Sequence, residues 1–178
     1  MPDYSKLDAM AARVAADAPD DGFAAEIIPF LVDGWLREYL QRAPSRDVIE
    51  TEVNGFAYLF DVKYGRLIAA WGVSRGRHAG ARDRSRMAGH PLSAGRDYHR
   101  GHAIPHTLGG PTDINLVPQL GSVNVGAFRP LEREAVATPG TLYFTHWIYA
   151  RGPSQQPERV EQGLLHPGGP VRIERHGN

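Results

Sequence analysis

The chain lacks cysteine altogether, has only two lysines and contains no long apolar run. The absence of cysteine excludes disulfides, thiolate zinc sites and cysteine nucleophiles, so any metal must bind to His, Asp, Glu or Asn side chains. No apolar run approaches the roughly 18 residues that a transmembrane helix needs, and residues 1–21 are acidic, unlike a signal peptide. We expect a protein that is cytoplasmic as made, has no membrane partner and leaves the cell, if at all, through a specialised secretion system.

The charges are unevenly distributed along a chain whose net charge is zero. Residues 1–60 hold 5 basic and 11 acidic residues, residues 61–102 hold 9 basic and 3 acidic ones, and residues 103–178 hold 6 of each. The basic residues of the central block are almost all arginine, whose guanidinium group suits phosphate better than a lysine ammonium group does. It predicts a polyanionic partner such as DNA or RNA, although a solvated loop in an arginine-rich protein would have the same composition. Seven of its eight arginines lie in its second part, at Arg75, Arg77, Arg82, Arg84, Arg86, Arg96 and Arg100.

The sequence predicts one compact α+β domain, since 178 residues of which 42% are hydrophobic can bury a single core. Residues 6–18 and 22–43 have helical periodicity, and Pro29 is expected to kink or restart the second helix. Aromatic and branched residues then predict a β-hairpin with arms at residues 53–62 and 66–73. The tail from Gly152 is rich in proline and glycine and is expected to be a loop.

Residues 96–137 have the predicted order strand, turn, strand, helix. His102 ends the first strand, Asn124 opens the helix 22 positions later, and Glu132 follows after eight more residues, close to two helical turns. A histidine, an asparagine at a helix start and a carboxylate suit phosphodiester hydrolysis that is assisted by one hard cation. Taken singly, each has an ordinary explanation: a loop histidine, a helix-capping asparagine and a surface carboxylate.

Three motifs in this segment resemble those of the DNA/RNA non-specific endonucleases, a branch of the ββα-metal (His-Me finger) nucleases. The signature Asp-Arg-Gly-His is matched by HRGH at residues 99–102, and the strand motif Asn-x-x-Pro-Gln by NLVPQ at residues 115–119. The metal-helix motif Asn-x-Gly-Ala-Trp-x-x-Leu-Glu is matched by NVGAFRPLE at residues 124–132. Order and spacing agree. The resemblance implies an α+β fold with a ββα-metal core at about residues 96–137, an antiparallel sheet and an N-terminal helical segment.

The resemblance also implies an activity: Mg²⁺- or Mn²⁺-dependent hydrolysis of phosphodiester bonds in DNA, RNA or both, with little sequence preference. His102 is implied as the general base that activates water, and Asn124 as the direct metal ligand. Glu132 is implied to hold the ion through water, and Arg100 to contact the phosphate. Arg129 and Arg96 are further candidates for that contact.

The chain departs from the family pattern where His99 replaces the leading aspartate of the signature. Asp97 or a backbone carbonyl is then expected to hold the imidazole of His102. Two other functions stay open: a degenerate finger that binds nucleic acid or a partner protein without cutting, and an HNH-type nuclease in which His106 is an extra ligand to zinc or nickel.

A non-specific nuclease endangers the cell that makes it, so the sequence also suggests an antibacterial toxin or effector that an immunity protein neutralises. The nuclease domain is expected at residues 51–178. Residues 1–50 are expected to form a helical segment that is either part of the same domain or a docking element.

Overall fold

The computed structural model describes residues 2–81, 85–91 and 94–178, and its largest feature is a six-stranded antiparallel sheet. The strands of the fold are β1 (Val48–Val53), β2 (Phe56–Asp61), β3 (Arg66–Val73), β4 (Tyr98–His102), β5 (Leu116–Leu120), β6 (Leu142–Ile148), β7 (Arg159–Leu165) and β8 (Val171–Gly177). The large sheet has the order β1-β2-β3-β6-β7-β8, and β4 pairs with β5 in a separate two-stranded sheet. The predicted hairpin is confirmed as β2 and β3, while β1 was not predicted. The fold is α+β, and across the three described ranges every helix is too short or too polar to cross a bilayer.

Helices precede the sheet, as predicted, but with different bounds. They are α1 (Leu7–Ala11), α2 (Pro19–Gly22) and α3 (Ile28–Arg42), with a π-helical turn (Phe23–Ile27) between the last two. Pro29 has no N–H to donate to the preceding turn, so the α-helical ladder is interrupted just before it. The predicted restart at Pro29 is confirmed, whereas α1 is shorter than expected and the predicted link at residues 19–22 is helical.

The N-terminal helices pack directly on the large sheet. Trp35 of α3 is fully buried, and its ring lies 5.6 Å from that of Trp71 in β3 and 5.0 Å from that of Phe144 in β6. Its indole N–H donates to the hydroxyl of Tyr4 (3.0 Å), which donates to the buried carboxylate of Glu161 in β7 (2.5 Å). The N-terminal segment and the sheet thus share one core, and hydrogen-bonded polar groups fix their relative position.

The tail beyond Gly152 contains β7 and β8, so the prediction of a loop there was wrong. Proline and glycine flank both strands, which is why the composition of the whole tail indicated a loop. β7 lies between β6 and β8, and the buried amide nitrogen of Gln162 donates to the carbonyl of Phe128 (3.0 Å) and to the hydroxyl of Tyr143 (2.8 Å). Pairing on both edges, and not an apolar run, stabilises this strand.

The segment that carries the three motifs forms a hairpin followed by a helix, in the predicted order. β4 pairs with β5 in antiparallel register and ends at His102. The chain then enters a π-helical turn (Val123–Ala127) and α4 (Arg129–Ala137). Pro130 lies in the first turn of α4 and has no N–H for the carbonyl of Gly126, which explains why the helix is wider before it.

The loop between β4 and β5 is closed by Asn115, which is fully buried. Its side-chain oxygen accepts from the N–H of Ile104 (2.7 Å), and its amide donates to the carbonyls of Ile104 (2.8 Å) and Pro111 (2.9 Å). Gly110 packs against the same backbone, since a Cβ there would come within 1.9 Å of the Ile104 oxygen. Asn115 is therefore a structural residue that fixes the path from β4 to β5.

We expect Asn115→Ala to destabilise the protein by about 1–3 kcal/mol, because it leaves the buried N–H and C=O of Ile104 without their partners. Urea unfolding followed by circular dichroism measures the loss. The matched control is Gln41→Ala, which removes an exposed amide from α3 and is expected to change stability by less than about 0.5 kcal/mol. Equal stability of the two variants would contradict the assigned role.

Candidate active site

The end of β4 carries the signature HRGH, whose side chains alternate between the two faces of the hairpin. Arg100 and His102 lie on one face, and His99 and Gly101 on the other, because successive residues of a strand point in opposite directions. His102 is only 7% exposed, and its ring centroid lies 6.5 Å from that of His106. The predicted general base is thus held in packed surroundings where the hairpin loop begins.

Asn124 lies in the π-helical turn and contacts β4 through His99. Its Nδ2 is 3.4 Å from Nδ1 of His99, which is long for a hydrogen bond; the amide nitrogen can only donate, so the bond requires the tautomer in which Nδ1 of His99 carries no proton. Both residues line an open cavity of about 470 Å³ together with His90 and Arg100. The structure brings the predicted metal ligand and the predicted phosphate contact to one cavity, and it places the residue that replaces the family aspartate beside the ligand.

Gln119 of β5 lies directly across the hairpin from His99 and is fully buried. Neither its Oε1 nor its Nε2 has a hydrogen-bond partner among the described residues. Its side chain crosses Gly101 so closely that a Cβ there would come within 2.1 Å of Oε1, so the signature requires glycine at this position. Buried amide groups are normally hydrogen-bonded, and this one marks the hairpin face beside Asn124 as a place that suits a further polar group. The motif contains Gln119, but its burial could not be deduced from sequence.

Glu132 lies in α4 and lines a second cavity, of about 490 Å³. Burial raises the pKa of its carboxyl group to about 7, and the charge of Arg129 opposes this shift. The π-helical turn uses more residues than an α-helical one, so the eight residues from Asn124 to Glu132 come closer to two whole turns than in a regular α-helix. Arg133 also lines this cavity. It was missed, although its spacing of four residues from Arg129 places both on one helix face.

The sequence-predicted residues therefore fall into two groups. The first cavity holds Asn124 and Arg100, and the second holds Glu132 and Arg129. His102 lines neither of these two cavities within the described part of the chain, and its approach to the metal ligand stays a prediction.

The arginines of the basic block have different surroundings. Arg77 reaches the second cavity, Arg75 pairs with a carboxylate of α2 at 3.1 Å, and Arg96 is exposed just before β4. Arg82 and Arg84 lie outside the described residues. Proximity to the motif in sequence thus did not decide which arginines line the site.

Three histidine rings lie in series at the start of the hairpin loop. The ring centroids of His102 and His106 are 6.5 Å apart, and those of His106 and His78 are 6.0 Å apart. In the described ranges, no three His, Cys, Asp or Glu side chains are arranged to hold a metal ion.

The raised pKa of Glu132 predicts how the metal-free protein responds to pH. The pKa of about 7 in the folded state lies above the ordinary value of 4.5, so folding favours the protonated carboxyl group. The stability that this protonated group contributes is lost as pH rises through 7. We therefore expect the free energy of unfolding of Glu132→Gln, relative to that of the wild type, to rise by roughly 1–2 kcal/mol from pH 5 to pH 8. This figure includes a discount for the partial exposure of the side chain. Urea unfolding in EDTA measures the difference, with exposed Glu158→Gln as the control. A difference that is independent of pH would contradict the assigned burial.

The comparisons with known proteins agree with the motifs. The model of the DNA/RNA non-specific endonuclease family matches residues 54–141, which include the β4–β5 hairpin and α4. Two crystal structures of NucA from Streptococcus agalactiae, one with no metal bound and one with a magnesium ion bound, are 15% and 16% identical to the chain, each with a TM-score of 0.49. Each match covers 82% of this chain and 88% of the other. No curated protein matches the chain. Over residues 54–141, the chain is therefore similar to the DNA/RNA non-specific endonuclease family.

Proposed function

We propose that this protein is an endonuclease that requires Mg²⁺ or Mn²⁺ and hydrolyses phosphodiester bonds of DNA and RNA without sequence preference. The observation that carries the proposal is the hairpin-and-helix segment, in which the turn that bears Asn124 lies against β4, the strand that ends at His102. The family similarity of the surrounding residues 54–141 supports the same reaction.

The residues beside His99 fit a hard cation. When its amide nitrogen donates to His99, Asn124 keeps its amide oxygen for another partner, and a neutral oxygen ligand is of the kind that magnesium prefers. The buried carboxamide of Gln119 adds polar atoms without protein partners in the described part of the chain. Asn124 would hold Mg²⁺ directly and Glu132 would hold it through water. The ion would supply positive charge against the charge that develops on the phosphate.

His102 would act as the general base. Neutral imidazole takes up a proton readily near neutral pH, and the proton in this reaction comes from the water that attacks phosphorus. Arg100 lies on the same hairpin face and lines the cavity of Asn124, so its guanidinium group is suited to contact the phosphate that is cut. Arg129 is a further candidate for phosphate contact.

These contacts involve the phosphate and not the base edges, which explains a lack of sequence preference. The nucleophile is water and not a ribose 2′-hydroxyl, so the reaction does not require RNA. DNA and RNA are therefore both substrates in this proposal.

We expect His102→Ala to lower the rate of plasmid nicking and RNA cleavage by roughly 10²- to 10⁴-fold, the usual contribution of a general base. Wild-type cleavage is expected with Mg²⁺ or Mn²⁺ and is expected to stop in EDTA. The assay is agarose electrophoresis of supercoiled plasmid, with unfolding curves to verify that the variant is folded. The control is His166→Ala, because His166 contacts Glu134 at 3.1 Å and is absent from both cavities.

Each other result has a defined meaning. Unchanged cutting by His102→Ala would refute the assignment of the base. Cutting with Zn²⁺ or Ni²⁺ but not Mg²⁺ would favour the HNH-type reaction with His106 as a ligand. Binding of DNA without cleavage under any of these ions would favour the binding module.

An antibacterial role with an immunity protein is a further prediction from the hazard of this activity to a cell. Expression of the intact chain in a host without a neutralising partner is expected to slow growth and degrade DNA, and His102→Ala is expected to relieve both effects. Normal growth with active enzyme present would exclude the toxin role.

A further inference from the structure

The second cavity is dominated by arginine. It is lined by Arg77 from the segment after β3, by Arg129 and Arg133 of α4, and by Thr107 of the hairpin loop. All four are exposed, and the cavity has a volume of about 490 Å³. We call it the arginine cavity. Guanidinium groups from two separate parts of the chain thus converge with a hydroxyl donor on one open space.

None of the three arginines has a carboxylate within ion-pair distance among the described residues. Arg129 and Arg133 are spaced four residues apart on one helix, where like charges repel each other. Glu134, the next residue of α4, contacts Arg172 and His166, so among the described residues Arg133 has no ion-pair partner. Glu132 interacts with Arg129 and offsets part of the repulsion, and a bound anion would relieve the rest.

Glu132 is the acidic residue that lines the arginine cavity. One carboxyl group faces three guanidinium groups, so the cavity is positively charged overall. An anion would be bound on the arginine side, with Glu132 left for the role proposed above.

We infer that the arginine cavity binds phosphates that flank the bond to be cut, and that Arg77, Arg129 and Arg133 thereby extend the substrate site along a nucleic-acid backbone. The inference rests on the proposed function in that the anion is nucleic acid. Eight residues of helix separate Asn124 from Glu132, which is about 12 Å at 1.5 Å per residue. Phosphates of one strand advance by about 3.4 Å along the duplex axis, so this length of helix spans about three phosphates, and the arginines are placed to contact the phosphates next to the one that is cut.

The site has the form expected for recognition of backbone and not of bases. Arginine forks bind phosphate oxygens in a bidentate manner, and Thr107 offers a neutral hydroxyl donor beside them. The cavity therefore contributes affinity for longer substrates, and it acts equally on all sequences.

Binding in EDTA tests the inference without cleavage. Fluorescence anisotropy of a labelled 30-bp duplex, measured across 50–200 mM NaCl, gives the slope of log K against log [salt]. Each phosphate contact contributes about 0.9 to this slope, so the double variant Arg77→Ala/Arg133→Ala is expected to lose nearly two units. Its affinity at the lowest salt is expected to fall at least tenfold. An unchanged slope overturns the inference.

Two matched variants separate position from general charge. Arg159→Ala removes an exposed arginine that has no ion pair in the described residues and begins β7. α4 lies near the other end of that strand, roughly 20 Å away at 3.3 Å per residue, because Glu134 contacts His166 there. Arg159→Ala is expected to keep the wild-type slope, and Arg77→Lys/Arg133→Lys to retain most of it. If Arg159→Ala lowered the salt slope by as much as the loss of one cavity arginine does, the inference would also be overturned.

Substrate length provides the second readout. With Mg²⁺, the KM of the wild type is expected to be lower for a twelve-nucleotide substrate than for a dinucleotide. The double alanine variant is expected to lose most of this decrease in KM. If no cleavage is seen but the salt slopes differ as described, the proposed reaction fails and the arginine cavity stands. If cleavage is normal and KM depends on substrate length in the same way in both proteins, the proposed reaction stands and the inference about the arginine cavity fails.

Discussion

The candidate site depends on the hydrogen bonds that the side chain of Asn115 makes to the backbone of Ile104 across the hairpin loop. These bonds bring the chain back beside β4 in a fixed register, with Gln119 opposite His99. That register in turn determines which side chain faces the turn of Asn124. A slip of one residue in β5 would exchange the two faces of the strand and turn Gln119 away from Gly101. A residue of the motif that never touches the substrate thus determines the geometry of those proposed to touch it.

Two prolines shape the helices in the same way. Pro29 and Pro130 each lie in the first turn of an α-helix, and each is preceded by a π-helical turn. In both cases the missing N–H releases a carbonyl in the turn before it. Around Phe23 the wider turn packs into the core, whereas the turn of Asn124 contacts β4 and a cavity. Backbone chemistry alone therefore provides the wider turn, and the side chains placed on it decide its use.

Much of the fold and the family could be predicted because the informative residues are close together in sequence. The order of secondary-structure elements from His102 to Glu132 follows from local periodicity. A two-stranded hairpin followed directly by a helix can pack in only a few ways. The tail was predicted wrongly because β7 is stabilised by neighbours that are distant in sequence. Gln162 is polar, yet it is buried through bonds to Phe128 and Tyr143 that no local pattern indicates.

The site itself was less predictable for the same reason. Spacing on an ideal helix places Asn124 and Glu132 on similar faces, but it does not tell which cavity each one lines. The contact between Asn124 and His99 depends on how the π-helical turn lies against β4, and the raised pKa of Glu132 depends on burial in three dimensions. Residue types could be assigned from sequence, whereas their neighbours required the fold.

The distribution of charge explains how a protein of zero net charge can bind a polyanion. Part of the acidic charge of the first sixty residues is paired within the fold: Asp33 and Glu38 pair with arginines of their own helix, and Asp20 pairs with Arg75. Surface charges beyond about 8 Å are screened at physiological ionic strength, so these carboxylates have little influence on a distant phosphate. The guanidinium groups of the arginine cavity, which have no ion pair within the described residues, act locally, and local charge, not the sum over the chain, governs the proposed encounter with nucleic acid.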